Sequence, residues 1–182
     1  MIERPFHRAL FLSVLLSLFF TAGNAAGADE DVLEYKLKAA FILNFSKLTT
    51  WPQDSFNQPE KTFNFCVAGV DPFGTALDGV ESKQVGGRNV RLHFIPSLSE
   101  IQACDVLYVS KSEQKNLIQL QKFTDGTPTI TVSDIDGFSS KGGIFEFVTK
   151  GGRLSFIVNN QQATRNGLQI SASLLNLAAE VL

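Results

Sequence analysis

The sequence has 182 residues, with 16 basic and 18 acidic side chains and a formal charge of −2. A faintly acidic chain without a basic run leaves no electrostatic footprint for nucleic acid and none for anionic lipid. Metal chemistry lacks a ligand set, because no HExxH, CxxC or Asp-rich calcium loop occurs in the sequence. Neither a cofactor nor a metal is expected.

The opening residues read as a secretory signal. Arg4, His7 and Arg8 give a basic start, Ala9 to Phe20 is an almost unbroken apolar run, and small residues follow from Ala22 to Ala28. That order is a signal peptide, and the run is too short for a membrane span of about 20 apolar residues. Ala25 and Ala28 both end small-x-small triplets, so cleavage is expected between Ala25 and Asp29, leaving 1–28 as leader and 29–182 as one periplasmic domain. Removing two arginines and one glutamate turns −2 into −3. The remainder has the size of a single domain with a real core.

Val32, Leu33, Leu37, Ala40, Phe41, Asn44, Phe45 and Leu48 recur at helical spacing, with Lys36, Lys38 and Lys47 largely off that stripe. Pro52 biases Trp51 away from helical angles, so this first helix ends near there. Thr62 to Ala68 is aromatic and β-branched, a strand. Asp71 and Pro72 suit the cap and first position of a short helix reaching about Leu77. Gly69 to Thr75 imitates a phosphate loop, but the lysine that should follow Gly74 is missing.

Arg88 to Ile95 alternates, with Val90, Leu92 and Phe94 on one face, as in a strand near a sheet edge. A short helix through Leu98 to Ile101 leads to Asp105–Val109, apolar enough for a central strand covered on both faces. Lys111 to Phe123 reads as a helix with Leu117, Ile118 and Leu120 inward, and Pro128 to Val132 as another strand. Ile144–Thr149 and Arg153–Val158 form a hairpin about Lys150-Gly151-Gly152. Leu174, Leu175, Leu177, Ala178 and Val181 give the tail a helical period, so a last helix is expected to pack across the sheet. The order argues an α/β fold: one domain with a mixed, mostly parallel sheet flanked by helices, ending in a β-hairpin and a final helix.

Cys66 and Cys104 are the two cysteines, and after export they are expected to pair, two buried thiols being the alternative. His93 is the one histidine after the leader, on a strand that looks structural. Ser133-Asp134 follows a strand without a G-x-S-x-G elbow. A hydrolase reading finds no base, nucleophile or metal set, and the chain is not expected to be an enzyme. Trp51 either anchors a partner or finishes the core. Arg88, Arg153 and Arg165 fall near element ends, where an anion site could assemble or where solvent simply takes them.

The motifs in order are Lys38-Ala39-Ala40-Phe41, Asn44-Phe45 and Trp51-Pro52; Phe65-Cys66-Val67 with Gly69 and Asp71-Pro72-Phe73-Gly74; and Gly86-Gly87-Arg88-Asn89-Val90. Cys104 to Ser110, Thr131 to Asp134, Gly137-Phe138, Gly142-Gly143-Ile144, Arg153 to Asn159, Gly167 to Ser171 and Leu174 to Ala178 complete the set. With these residues the chain resembles the YfiR family of periplasmic regulators over nearly all of the mature sequence. The resemblance implies a dimeric, redox-sensitive protein that binds the periplasmic part of an inner-membrane diguanylate cyclase and holds it inactive. It also implies an OmpA-like outer-membrane lipoprotein that draws the repressor away, releasing cyclic-di-GMP synthesis and biofilm growth. Cys66 and Cys104 match the family's disulfide; a second pair present in some members has no counterpart after Cys104. Trp51 and Phe56 are the candidate apolar anchors for the partner, beside the three arginines. A periplasmic small-ligand sensor is the alternative reading.

Overall fold

A computed structural model describes residues 25–56, 62–95, 101 and 104–182. Residues 1–24 of the expected leader and most of the short helix expected through Leu98 lie outside the described residues.

Helix α1 runs Ala25–Lys47, so both candidate cleavage positions fall in its first turn. Its inward face carries Ile42 and Phe45, neither exposed at all, with Ala39 and Leu43 beside them. The helix stops where β-branched residues take over: Thr49 Oγ1 donates to the Phe45 carbonyl at 2.8 Å, and Thr49–Thr50 turns extended as β1. β1 pairs antiparallel with β9, Gln169–Ile170.

The main sheet has eight strands in the order β10-β8-β7-β6-β5-β2-β4-β3. These are β2 (Phe63–Ala68), β3 (Gln84–Val85), β4 (Arg88–Ile95), β5 (Val106–Val109), β6 (Ile130–Ser133), β7 (Phe145–Lys150), β8 (Arg153–Val158) and β10 (Glu180–Val181). β4, β2, β5, β6 and β7 are mutually parallel, while β3 on β4 and β8 on β7 are antiparallel. The mixed, mostly parallel α/β sheet expected from the sequence is therefore present, in a single domain.

Side chains alternate across strands, and that alternation divides the core in two. Phe63, Phe65, Val67, Val106 and Tyr108 face α1. Cys66, Ala68, Leu107 and Val109 point the other way, toward Leu117 and Leu120 of helix α2, Leu117–Thr124. On the α1 side, Phe45 stacks on Phe145 with ring centres 4.1 Å apart and meets Phe156 at 4.8 Å. The Cys66–Cys104 disulfide is formed, joining β2 to the segment entering β5.

Local signals held where turn chemistry was explicit. Asp71 accepts from the amides of Phe73 at 2.8 Å and Gly74 at 3.2 Å, capping a single 3-10 turn, Gly74–Leu77. Gly151 and Gly152 both have positive φ, 59° and 73°, as the two-residue hairpin between β7 and β8 requires.

Four expectations need correction. The apolar stripe read on α1 is largely its outer side: Leu33, Leu37, Ala40, Asn44 and Leu48 are exposed, whereas Lys38, placed off that stripe, is buried with Ala39, Ile42 and Leu43. Phe94 is 53 % exposed despite its alternation with the buried Val90 and half-buried Leu92. Ile118 is 77 % exposed: residues 111–116 wind as a 3-10 segment before α2 begins, which resets the helical phase. The tail is helical for one turn only, α4, Ala172–Leu175. It then turns extended, with the Ala179 and Leu182 amides donating to the Phe156 and Val158 carbonyls of β8 at 2.8 Å each. The final helix of the fold is thus this single turn, and Leu177 stays 68 % exposed.

Candidate functional site: a carboxylate clamp under helix α1

Asp134 lies one residue beyond β6, at the carboxyl end of the parallel strands. Its loop is held by Ser133, whose hydroxyl donates to the Val109 carbonyl at 2.7 Å and accepts from the Ile135 amide at 3.0 Å. That fixes the carboxylate beneath the middle of α1, at Tyr35 and Lys38.

Four side chains converge on it. Lys38 Nζ lies 2.7 Å from Asp134 Oδ2 and also 2.7 Å from Glu34 Oε1, one turn earlier on α1. The Tyr108 hydroxyl donates to Oδ1 at 2.8 Å, and the Tyr35 hydroxyl to Oδ2 at 3.3 Å. Lys111 Nζ approaches to 3.8 Å from the solvent side. The Lys38 ammonium also sits 4.3 Å from the centre of the Tyr35 ring. The Lys38 and Asp134 side chains are only 4 % and 7 % exposed, so each charge depends on its partner.

The electrostatics lock every group in its ordinary state. Burial alone would raise the Asp134 carboxyl, but the Lys38 hydrogen bond and charge, with Tyr108 and Lys111, hold it below the usual carboxylate range. Burial pulls Lys38 down, and its bonds to Asp134 and Glu34 outweigh that, leaving it above the usual lysine value. Burial and then the Asp134 charge push the Tyr108 hydroxyl far up, and Tyr35 moves the same way for the same reasons. A general acid or base works best with its pKa near the operating pH; each of these shifts moves its group away from neutrality. The arrangement is a clamp fastening α1 to the sheet.

A second buried pair lies beside the disulfide. Arg88 donates to Asp105 Oδ1 and to the Thr62 carbonyl, both at 3.3 Å, while Asp105 Oδ2 accepts from the Asn64 amide at 2.7 Å. Arg88 is 4 % exposed, so the structure places it inside the domain. Trp51 is likewise internal, 9 % exposed, donating its indole N–H to the Ser46 carbonyl at 3.3 Å and packing edge-on against Phe63. Of the two roles open to Trp51, it occupies the core one. Phe56 ends the 3-10 turn Gln53–Phe56, and its side chain lies outside the described residues. Arg153, which opens β8, and Arg165, in the last turn of α3 (Asn160–Arg165), are exposed on different elements. The three arginines, read as an anion site or as solvated surface, therefore divide into one internal and two separate surface residues.

Lys38 and Asp134 were not singled out as a pair from sequence, yet a signal was there. Lys38, Ile42 and Phe45 stand at i, i+4, i+7 on one helical face. A lysine on a core face requires a buried carboxylate.

These features define a doubly wound α/β domain whose buried ionic groups join its own elements. Residues 35–179 match the YfiR/HmsC-like family, and the chain belongs to it. At family level it is a periplasmic regulator, and among the described residues no helix is long and apolar enough to cross a membrane.

Two solved structures share the fold. The ABC domain from Streptococcus pneumonia in complex with L-Trp is 14 % identical at a TM-score of 0.55, over 79 % of this chain and 60 % of that one. A conserved domain protein from Vibrio cholerae is 9 % identical at 0.50, over 81 % of this chain and 60 % of its own. The chain thus spans about 60 % of the length of each.

Proposed function

We infer that the exported domain, residues 29–182, binds the periplasmic part of an inner-membrane diguanylate cyclase and holds it inactive, so that cyclic-di-GMP and biofilm growth stay low. Family membership over residues 35–179 carries this reading. The action is stoichiometric binding without turnover. A repressor that binds only the inactive conformation biases its target by its differential affinity, and driving it from 99:1 active to 1:99 takes about 5.5 kcal/mol of that difference. An OmpA-like outer-membrane lipoprotein is the candidate for drawing the repressor away. The working form is a homodimer. With Trp51 and Arg88 internal, the proposed partner contacts are the exposed Arg153 and Arg165, and Phe56 is kept from the sequence reading alone.

The test is capture from membranes with the tagged exported protein. A diguanylate cyclase should co-purify, and Arg153→Glu should weaken its recovery. Recovery of no cyclase contradicts the reading.

A groove of about 350 Å³ between α1 and residues 75–83 favours a second reading, a small-ligand sensor. The Streptococcus relative holds L-Trp in its structure. A rise in melting temperature with an amino-acid ligand would support that alternative.

A further inference from the structure

The side of α1 turned away from the sheet is apolar along its middle and basic along one edge. Leu33, Leu37, Ala40, Asn44 and Leu48 are exposed there, with Leu33 67 % and Leu37 47 % open to solvent. Beside them runs the groove of about 350 Å³, floored by the buried Ala39, Leu43, Ala76 and Val80 and rimmed by Lys36, Asp78 and Lys83. Lys47 stands one helical turn after Leu43 and continues that rim. Among the described residues no carboxylate forms an ion pair with Lys36, Lys47 or Lys83. The edge therefore sets three ammonium groups against the one carboxylate of Asp78.

We propose that this face receives an amphipathic helix of a partner protein, apolar on the side turned to α1 and lined with aspartate or glutamate along one edge. The proposal rests on the reading of the chain as a binding regulator and names a surface for it. Shape points to a helix. Leu33–Leu37 and Ala40–Asn44–Leu48 are rows spaced by four, the ridges that pack into the grooves of another helix. From Leu33 to Leu48 the face is about 22 Å long at 1.5 Å per residue, the length of about four turns. The hollow over Ala39, Leu43, Ala76 and Val80 takes one large apolar side chain of the incoming helix, the anchor of helix-in-groove docking. Charge points to an acidic edge, lying along Lys36, Lys83 and Lys47. It also sets a second copy of this chain aside. On α1, Asp31 shares the inward register of Tyr35, Lys38 and Ile42, and Glu34 is held by Lys38 at 2.7 Å. The outer face thus has no acidic row of its own to answer the lysines.

Fluorescence anisotropy of a labelled helical peptide, titrated with the exported protein, tests this. The peptide is about 16 residues long, with leucine on one face and glutamate along one edge, and its twin carries lysine for each glutamate. The glutamate peptide should bind about tenfold more tightly than the lysine one, and the gap should close at high salt. Leu37→Glu should abolish binding of the glutamate peptide with an unchanged melting temperature. Lys36→Glu with Lys47→Glu and Lys83→Glu should reverse the preference between the two peptides. No binding of the glutamate peptide, equal binding of both, binding indifferent to Leu37→Glu, or a preference unmoved by the charge reversal would overturn the proposal. The cyclase reading fails separately, on membrane capture and cyclic-di-GMP levels, whatever the peptides do.

Discussion

The Lys38 ammonium and the Asp134 carboxylate, 96 residues apart in the chain, meet at 2.7 Å with both side chains almost wholly removed from water. Their contact ties α1 to the carboxyl end of β6. Removing one partner strands a buried charge, at a cost of about 3–5 kcal/mol. Lys38→Met should lower stability by about that amount in urea titrations, and Lys38→Met with Asp134→Leu should recover much of it.

The same pair shapes the pH profile. Asp134 is held below its ordinary value, so its stabilisation is present above about pH 3.9 and is lost as pH falls through the lower folded value. Lys38 is held above its ordinary value, so its stabilisation is full below about pH 10.4 and is lost as pH rises through the higher folded one. Stability from this pair is therefore flat between roughly pH 5 and 9 and declines at both ends. Denaturation at a series of pH values should show the Lys38→Met/Asp134→Leu double variant losing less than wild type at both extremes.

The Cys66–Cys104 bridge closes a loop with a sequence separation of 38, for which the chain-entropy model gives about 4 kcal/mol. That is a large share of the 5–15 kcal/mol typical of a domain. Cys66→Ser or Cys104→Ser should lower the melting temperature markedly. Thiol titration of the unreduced, unfolded protein should find no free sulfhydryl.

Trp51 packs on Phe63 and bonds to the Ser46 carbonyl, so its loss should be felt inside the domain. Trp51→Ala should cost about 3–5 kcal/mol, read by denaturant unfolding. Trp51→Phe, which keeps the ring and drops the N–H, should cost far less and leave partner capture intact.

Much of the fold was legible where one local rule decided. β5 reads as buried because Val106 to Val109 is apolar throughout, and the β7–β8 hairpin because Gly151-Gly152 suits its turn. The tail was not legible: Leu174 to Val181 has a helical period, but the Phe156 and Val158 carbonyls on the outer edge of β8 draw the chain into extended pairing. No window of local sequence contains that competitor. Ile118 was misplaced for a related reason, since periodicity cannot register the 3-10 segment that rotates α2. Of the site, the cysteine pair was legible from compartment and count. The Lys38–Asp134 clamp was not, because its halves sit on elements that only the parallel sheet brings together. Arg88 looked like a surface residue at a strand end and proved to be the buried partner of Asp105.

Cellular cyclic-di-GMP, measured in a deletion strain and after resupply, tests the proposed regulation most directly. Deletion should raise it, and the full chain should bring it back down. The same chain without residues 1–28 should leave it high, because that protein stays on the wrong side of the membrane. A deletion strain with unchanged cyclic-di-GMP would contradict repression of a cyclase and favour the ligand-sensing alternative.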